Sequence, residues 1–258
     1  MSRRYDSSTT TFSPEGRIHQ VEYAMESINN AGTCVGLLSE EGVILAAEKR
    51  TLSKLLATNQ TSEKTVVLDD HCVALLAGLT SDANTLVNNI RVNSQRYLYR
   101  YQEAMPVEEL VRNVCNYKQS YTQFGGLRPF GVAFLFAGWD CHHGYQLYQS
   151  DPSGNYSGWK ATVIGQNNQA GKSLLKTDYK EDASMEDNIK LAVKIMLKTM
   201  DSATPSADKI ELSTLKRTAD GNIEFAAMDD APLQKIIDEI KEAEEAEAKR
   251  AEASAANI

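Results

Sequence analysis

Cys141, His142 and His143 stand side by side, and a thiol next to two imidazoles is a donor set that could hold a metal ion. Their adjacency works against it. The segment reads as strand, where neighbouring side chains point to opposite faces, so the three cannot converge on one ion. Neither a metal site nor a cofactor is expected. The four cysteines, Cys34, Cys72, Cys115 and Cys141, share no repeated spacing, which fits buried reduced thiols at all four positions better than a disulfide or zinc framework. The four histidines have no carboxylate partners at informative spacing. No Gly-x-Ser-x-Gly elbow, phosphate loop or His-Glu-x-x-His motif occurs, and residues 165–171, although they begin and end in glycine, read as the start of a helix. The sequons Asn59-Gln60-Thr61 and Asn155-Tyr156-Ser157 matter only in a secreted chain, and no apolar run follows Arg3 and Arg4 to form a secretory signal. An intracellular, non-enzymatic protein is the expectation.

The elements around these residues follow from periodicity. The chain has 258 residues, 42% apolar and 24% charged, enough for one sizeable core. Apolar runs that flank Glu41-Gly42 and Asp69-Asp70 read as two hairpins. Helical spacing follows, in Ala83, Leu86, Val87 and Ile90 with Thr80 or Ser81 as the cap, and in Val107, Leu110, Val111 and Val114 behind Pro106. Strands are expected at 130–137, 145–149 and 159–164, helices at 169–179 and 185–200, strands at 210–215 and 223–226, and a last helix from Pro232. Ser184 with Asp187 three residues on is close to a capping box. Hairpin-linked strands with helices arriving in pairs imply an α+β fold, a four-layer αββα sandwich of two antiparallel sheets between helix layers.

The net charge of −8 is uneven: from Asp229 to the end nine acidic residues face four basic ones, so this segment supplies −5 and the rest −3. No basic stripe or long apolar run is present, which speaks against nucleic-acid and membrane partners. Three regions are expected: residues 1–31 as a leader and helix, 32–242 as the sandwich, and 243–258 as a charged, Ala- and Glu-rich solvated tail.

The leader is the most specific stretch. It is polar, yet it carries Tyr5 and Phe12; then Pro14 presets a turn that Glu15 and Gly16 complete, and Ile18, Val21, Met25 and Ile28 recur at helical spacing. Its segments Tyr-Asp, Phe-Ser-Pro-Glu-Gly-Arg and Gln-Val-Glu-Tyr-Ala, in that order, resemble the N-terminal signature of alpha-type subunits of the 20S proteasome. The resemblance extends from Arg4 to about Ile240 through Thr80-Ser81-Asp82-Ala83, Tyr121 to Gly126, Arg128-Pro129-Phe130-Gly131 and Asp151-Pro152-Ser153-Gly154. Tyr5-Asp6-Ser7 and Gly154-Asn155-Tyr156 narrow it to the kind at the third alpha position of the eukaryotic ring.

This resemblance implies the fold of N-terminal-nucleophile hydrolases. It also implies a structural subunit of the outer heptameric ring of the proteasome core complex, in cytoplasm and nucleus, serving ubiquitin-dependent and ubiquitin-independent protein degradation. The partners it implies are neighbouring alpha subunits, beta-ring subunits and activators or the regulatory particle. By the same resemblance Tyr5, Asp6, Phe12 and Pro14 belong to the substrate-entry gate, although Ser7 stands where the common alpha pattern has arginine. Lys64 would receive an activator's C-terminal carboxylate, helped by Gly78, which permits close backbone approach. The beta-type catalytic pattern of threonine, acid and lysine falls on Gly32, Glu48 and Lys64, so two of the three positions lack the expected residue, the nucleophile among them. The alternative is a threonine-type N-terminal-nucleophile hydrolase autoprocessed at Thr33, but an internal threonine has no free amine to act as base.

Overall fold

A computed structural model of the chain describes residues 10–50, 55, 64–200 and 206–255. The opening helix α1 spans His19–Asn29 and is followed by the hairpin of β1 (Cys34–Ser39) and β2 (Gly42–Glu48). Strands β3 (Thr65–Asp69) and β4 (Cys72–Gly78) make a second hairpin; then come helices α2 (Thr80–Tyr101) and α3 (Val107–Gln123). Strands β5 (Val132–Asp140), β6 (Gly144–Ser150), β7 (Tyr156–Gly158) and β8 (Ala161–Ile164) precede α4 (Asn168–Asp178) and α5 (Met185–Thr199). Strands β9 (Ile210–Arg217) and β10 (Ile223–Ala227) and helix α6 (Asp230–Ala255) complete the chain.

The strands form two antiparallel five-stranded sheets, ordered β10-β9-β2-β1-β8 and β3-β4-β5-β6-β7. Both are covered on both faces, which is why β1, β2 and β4 read as continuous apolar runs rather than as alternations. Between the sheets lie Cys34, Leu45, Val73, Leu75, Leu135 and Leu147. Outside the first sheet Val35, Leu37, Ile44 and Leu212 meet Ile189, Val193 and Met196 of α5 and Leu233 and Ile237 of α6. Outside the second, Ala74, Leu76, Phe134 and Phe136 meet Leu86, Ile90, Leu110 and Val114 of α2 and α3. The four-layer sandwich is the result. Each fully buried Leu, Ile or Phe contributes about 1.5–3 kcal/mol over its exposed state.

Four local expectations differ from the structure. Helix α2 has no side-chain cap: Leu79 occupies the cap position, in extended geometry, with its N–H donating to Gly131 O at 2.9 Å, and Thr80 and Ser81 lie inside the helix. Cys141, His142 and His143 form the β5–β6 turn rather than strand, because the Asp140 carboxylate accepts the N–H groups of His142 (3.0 Å) and His143 (2.8 Å) and reverses the chain. Cys141 is exposed, whereas Cys34, Cys72 and Cys115 are buried, as expected of reduced thiols; burial lifts the thiols of Cys34 and Cys115 to about 11. The single strand expected at 159–164 is two: the Trp159 N–H bonds Leu147 O in one sheet and Lys160 O accepts from Leu38 N–H in the other, so the chain changes sheets between β7 and β8. By contrast the Ser184 hydroxyl caps α5, accepting from Asp187 N–H at 3.2 Å.

Candidate functional site

The opening turn is built by its own backbone. The Gly16 N–H donates to Ser13 O at 2.9 Å with Pro14 and Glu15 between them, and Ser13 N–H donates to Arg17 O at 2.8 Å. Pro14 suits the first central position because its φ is preset, and Gly16 takes the left-handed φ of +76° that closes the turn. Tyr5 and Asp6 lie outside the described residues. Phe12 is 65% exposed, and in α1 the stripe expected of Ile18, Val21, Met25 and Ile28 buries only Ile28, against the inter-sheet core, while Met25 and Tyr23 remain 41% and 49% exposed. Much of this segment's apolar surface is therefore exposed among the described residues.

Between α1 and β1 runs a joint, residues 30–33, whose carbonyls are each held from a different direction. Asn30 O accepts from the Arg50 guanidinium at 2.9 Å, Ala31 O from Gln166 N–H at 2.9 Å and Gly32 O from the Lys64 ammonium at 3.2 Å. Thr33 N–H donates to Glu48 Oε2 at 3.2 Å and its hydroxyl to Gln166 O at 2.9 Å. Gly165 permits this packing: at φ +90° a Cβ there would stand 2.6 Å from Gly32 O. No spacing or motif singles out Gln166, Arg50 or Gly165; the one signal is a glycine before Gln166-Asn167-Asn168, which marks a close backbone approach as readily as a helix start.

Lys64 and Glu48 converge on Gly32. A Cβ built on Gly32 lies 2.9 Å from Lys64 Nζ and 3.1 Å from Glu48 Oε2, so the place where a side chain would meet acid and lysine carries none. Thr33 is buried, its nitrogen is a peptide N–H and its hydroxyl is bonded to Gln166 O, away from that convergence. Among the described residues the arrangement has charge but no nucleophile. A threonine hydroxyl with its own free amine is what the chemistry of this constellation demands, and the geometry gives the Thr33 reading no support.

Gly78 sits at the end of β4 with φ +123°, and a Cβ there would be 2.1 Å from Gly131 O. Its close backbone neighbour is Gly131 of the same chain. Next to it the Asp82 carboxylate takes both amino groups of Arg128, at 2.6 and 2.8 Å, and the Gly131 N–H at 3.0 Å. These bonds, with Arg128 first, hold the Asp82 carboxyl below its ordinary range against the opposing effect of burial. Arg128 is 62% exposed, so the ion pair contributes little by itself, whereas the bond from the Gly131 N–H to a buried charged acceptor is worth about 1.5–3 kcal/mol. Asp82→Ala is expected to cost about 2 kcal/mol in urea unfolding at pH 7. Because the folded carboxyl is the stronger acid, that stability is complete above the unfolded value of about 3.9 and is lost as pH falls through the lower folded one. The difference between wild type and variant should therefore vanish in acid.

The profile of the family described as "Proteasome subunit" matches residues 28–215, and the profile of the N-terminal signature of A-type proteasome subunits matches residues 5–26. The chain belongs to the proteasome subunit family. It is 56% identical over 237 residues to Proteasome subunit alpha type-4-A of Arabidopsis thaliana, covering 92% of this chain and 95% of the relative. Against Proteasome subunit alpha type-4 of Spinacia oleracea it is 56% identical over 239 residues, 93% of this chain and 96% of the relative; against that of Petunia hybrida it is 54% identical over 237 residues, 92% and 95%. Tyr5-Asp6-Ser7 and Gly154-Asn155-Tyr156 point to the same alpha type-4 kind. This proteasome subunit is thus an alpha-type member of the core complex that serves protein degradation, with other proteasome subunits as its partners.

Proposed function

We propose that the chain is a non-catalytic structural subunit of the outer alpha ring, that its leader takes part in the substrate-entry gate through Tyr5, Asp6, Phe12 and Pro14, and that Lys64, with Gly78 shaping the wall, receives the C-terminal carboxylate of an activator. The observation that carries the non-catalytic reading is Gly32: acid and lysine meet there over a residue with no side chain. Catalysis is then left to beta subunits. The gate reading is supported by the alpha-type signature over residues 5–26 and by Phe12, Tyr23 and Met25, whose apolar surface is exposed among the described residues, open to neighbours in a ring. Cytoplasm and nucleus are the compartments we assign to it, to be checked by fractionation.

Deleting residues 2–10 while keeping Pro14 and α1 is expected to raise basal peptide hydrolysis by assembled particles without activator. A closure made of a few hydrogen bonds at about 1 kcal/mol each is cheap to open, so the change is several-fold or more. Turnover at the wild-type basal rate in normally assembled particles would remove the leader from the gate. Lys64→Ala is expected to weaken binding of activators that insert a carboxylate at this pocket. A charge-assisted bond of about 1.5–3 kcal/mol corresponds to about 10- to 150-fold at a single site, less where several pockets act together. Activator affinity equal to wild type, measured where one pocket dominates, would return Lys64 to an ordinary surface charge.

A further inference from the structure

Three elements meet at Gly131, just ahead of β5. Its N–H donates to the Asp82 carboxylate of α2 at 3.0 Å, its carbonyl accepts the Leu79 N–H at 2.9 Å, and the Ser27 hydroxyl of α1 stands 3.4 Å from the same oxygen. Asp82 is fixed in turn by both amino groups of Arg128, so Gly131 is gripped on its N–H and its carbonyl alike and has little room to retreat. A Cβ built on it would lie 3.0 Å from Ser27 Oγ and 3.0 Å from Leu79 Cδ1. Because its φ is outside the left-handed region, the backbone does not require glycine here. Space does.

Helix α1 rests on its own body through little else among the described residues. It packs against β4 and β5, yet Ile28, next to Ser27, is its one buried side chain, and no side chain caps its N-terminus. The two neighbours of a methyl at 131 would respond differently: Leu79 is 45% exposed and can swing into solvent, whereas Ser27 Oγ is tied to Ala24 O at 2.7 Å within its helix. The methyl would therefore press on the helix.

We infer that Gly131 is the seat of the leader helix and Ser27 the positioning residue that rests on it: the absent side chain at 131 sets how closely α1 lies over the corner between β4 and α2, and through α1 it places the leader. The inference rests on the gate role of the leader proposed above. Asp82 and Arg128 then act at one remove, by holding the seat still.

Peptide turnover by assembled particles and hydrogen exchange along α1 test it together. Gly131→Ala should raise basal turnover several-fold and speed exchange across residues 22–29, while the fully activated rate keeps its wild-type value, because a particle already open gains nothing from a displaced leader. Adding Ser27→Ala removes the atom that the methyl meets and should return both readouts most of the way. General loss of stability gives no such coupling, and Ser27→Ala alone completes the cycle. Gly125→Ala, with nothing within 4 Å of its Cβ, should match the wild type in both. Wild-type exchange along α1 in Gly131→Ala, or a double variant no closer to wild type than the single one, overturns the inference. So does a wild-type basal rate in Gly131→Ala where deletion of residues 2–10 does raise turnover. If exchange responds as expected and the deletion leaves turnover unchanged, the seat stands and the gate reading fails. Should Gly131→Ala not assemble, Ser27→Val enters the same gap from the helix side and is read by exchange on the full-length chain: faster exchange along α1 supports the seat, and unchanged exchange overturns it.

Discussion

Gly78→Ala is expected to destabilise the chain by roughly 2–6 kcal/mol. At φ +123° an L side chain is strained, which costs about 1–3 kcal/mol, and the added methyl would lie 2.1 Å from Gly131 O and 3.0 Å from Val132 Cα, an overlap with backbone that adds about 1–3 kcal/mol. The backbone has little room to yield. Gly131 O already accepts the Leu79 N–H and Gly131 N–H is bound to Asp82, so moving the residue breaks the link between the end of β4, the start of α2 and the approach to β5. Gly125→Ala is the control, since nothing lies within 4 Å of a Cβ there; its effect should stay within about 0.5 kcal/mol. Urea midpoints of the purified full-length variants compare the two. Equal midpoints would show that Gly78 is not held as tightly as its geometry requires. The result also governs how Gly78 is read in activator docking: a loss of affinity in this variant identifies a ligand contact only if stability is preserved.

The layers of this fold were legible because burial on both faces leaves continuous apolar runs in β1, β2 and β4, and because the faces of α2, α3 and α5 keep the helical period. Turns were legible where glycine or proline sets a dihedral, as in the Ser13 to Gly16 turn. The sheet change at Trp159 and Lys160 was not, since two backbone hydrogen bonds to different sheets leave no trace in side-chain periodicity. The same limit applies to the joint. Lys64 and Glu48 could be placed only through the pattern of a family, and Arg50 and Gln166 could not be placed at all, because what joins them to Asn30 and Thr33 is proximity across 20 and 133 residues of chain. Asp82 and Arg128 stood in conspicuous motifs, yet their pairing with each other and with Gly131 is again long-range. Local physics writes elements into a sequence; the clamps that position a site are contacts between elements, and residue type alone does not name the partner.

Lys118 is expected to be a net cost to the fold at neutral pH, and Lys118→Met to stabilise the chain. The lysine lies in α3 with its whole side chain buried, its ammonium donating to Ser150 Oγ at 3.1 Å and standing 5.4 Å from the Phe134 ring centre. Burial is the dominant influence and brings its pKa down to about 8, only partly opposed by Cys115 and Asp151. An unfolded lysine titrates near 10.4, so between these values the unfolded chain carries a proton that the folded one has released. Stability therefore rises with pH across that window, and below about pH 8 the folded state bears the full penalty, roughly 3 kcal/mol for this separation of the two values. Methionine fills a similar volume without charge, although it leaves the buried Ser150 hydroxyl short of one partner at about 1 kcal/mol. The net expectation is a gain of about 1–2 kcal/mol at pH 7. Urea unfolding of wild type and Lys118→Met at several pH values between 7 and 10 separates this group from other titrations, because only the difference between the two proteins matters. That difference should shrink and then reverse as the wild-type amine loses its proton. A variant less stable than wild type at pH 7, by an amount that does not change with pH, would mean that Ser150 and Phe134 compensate the buried charge in full.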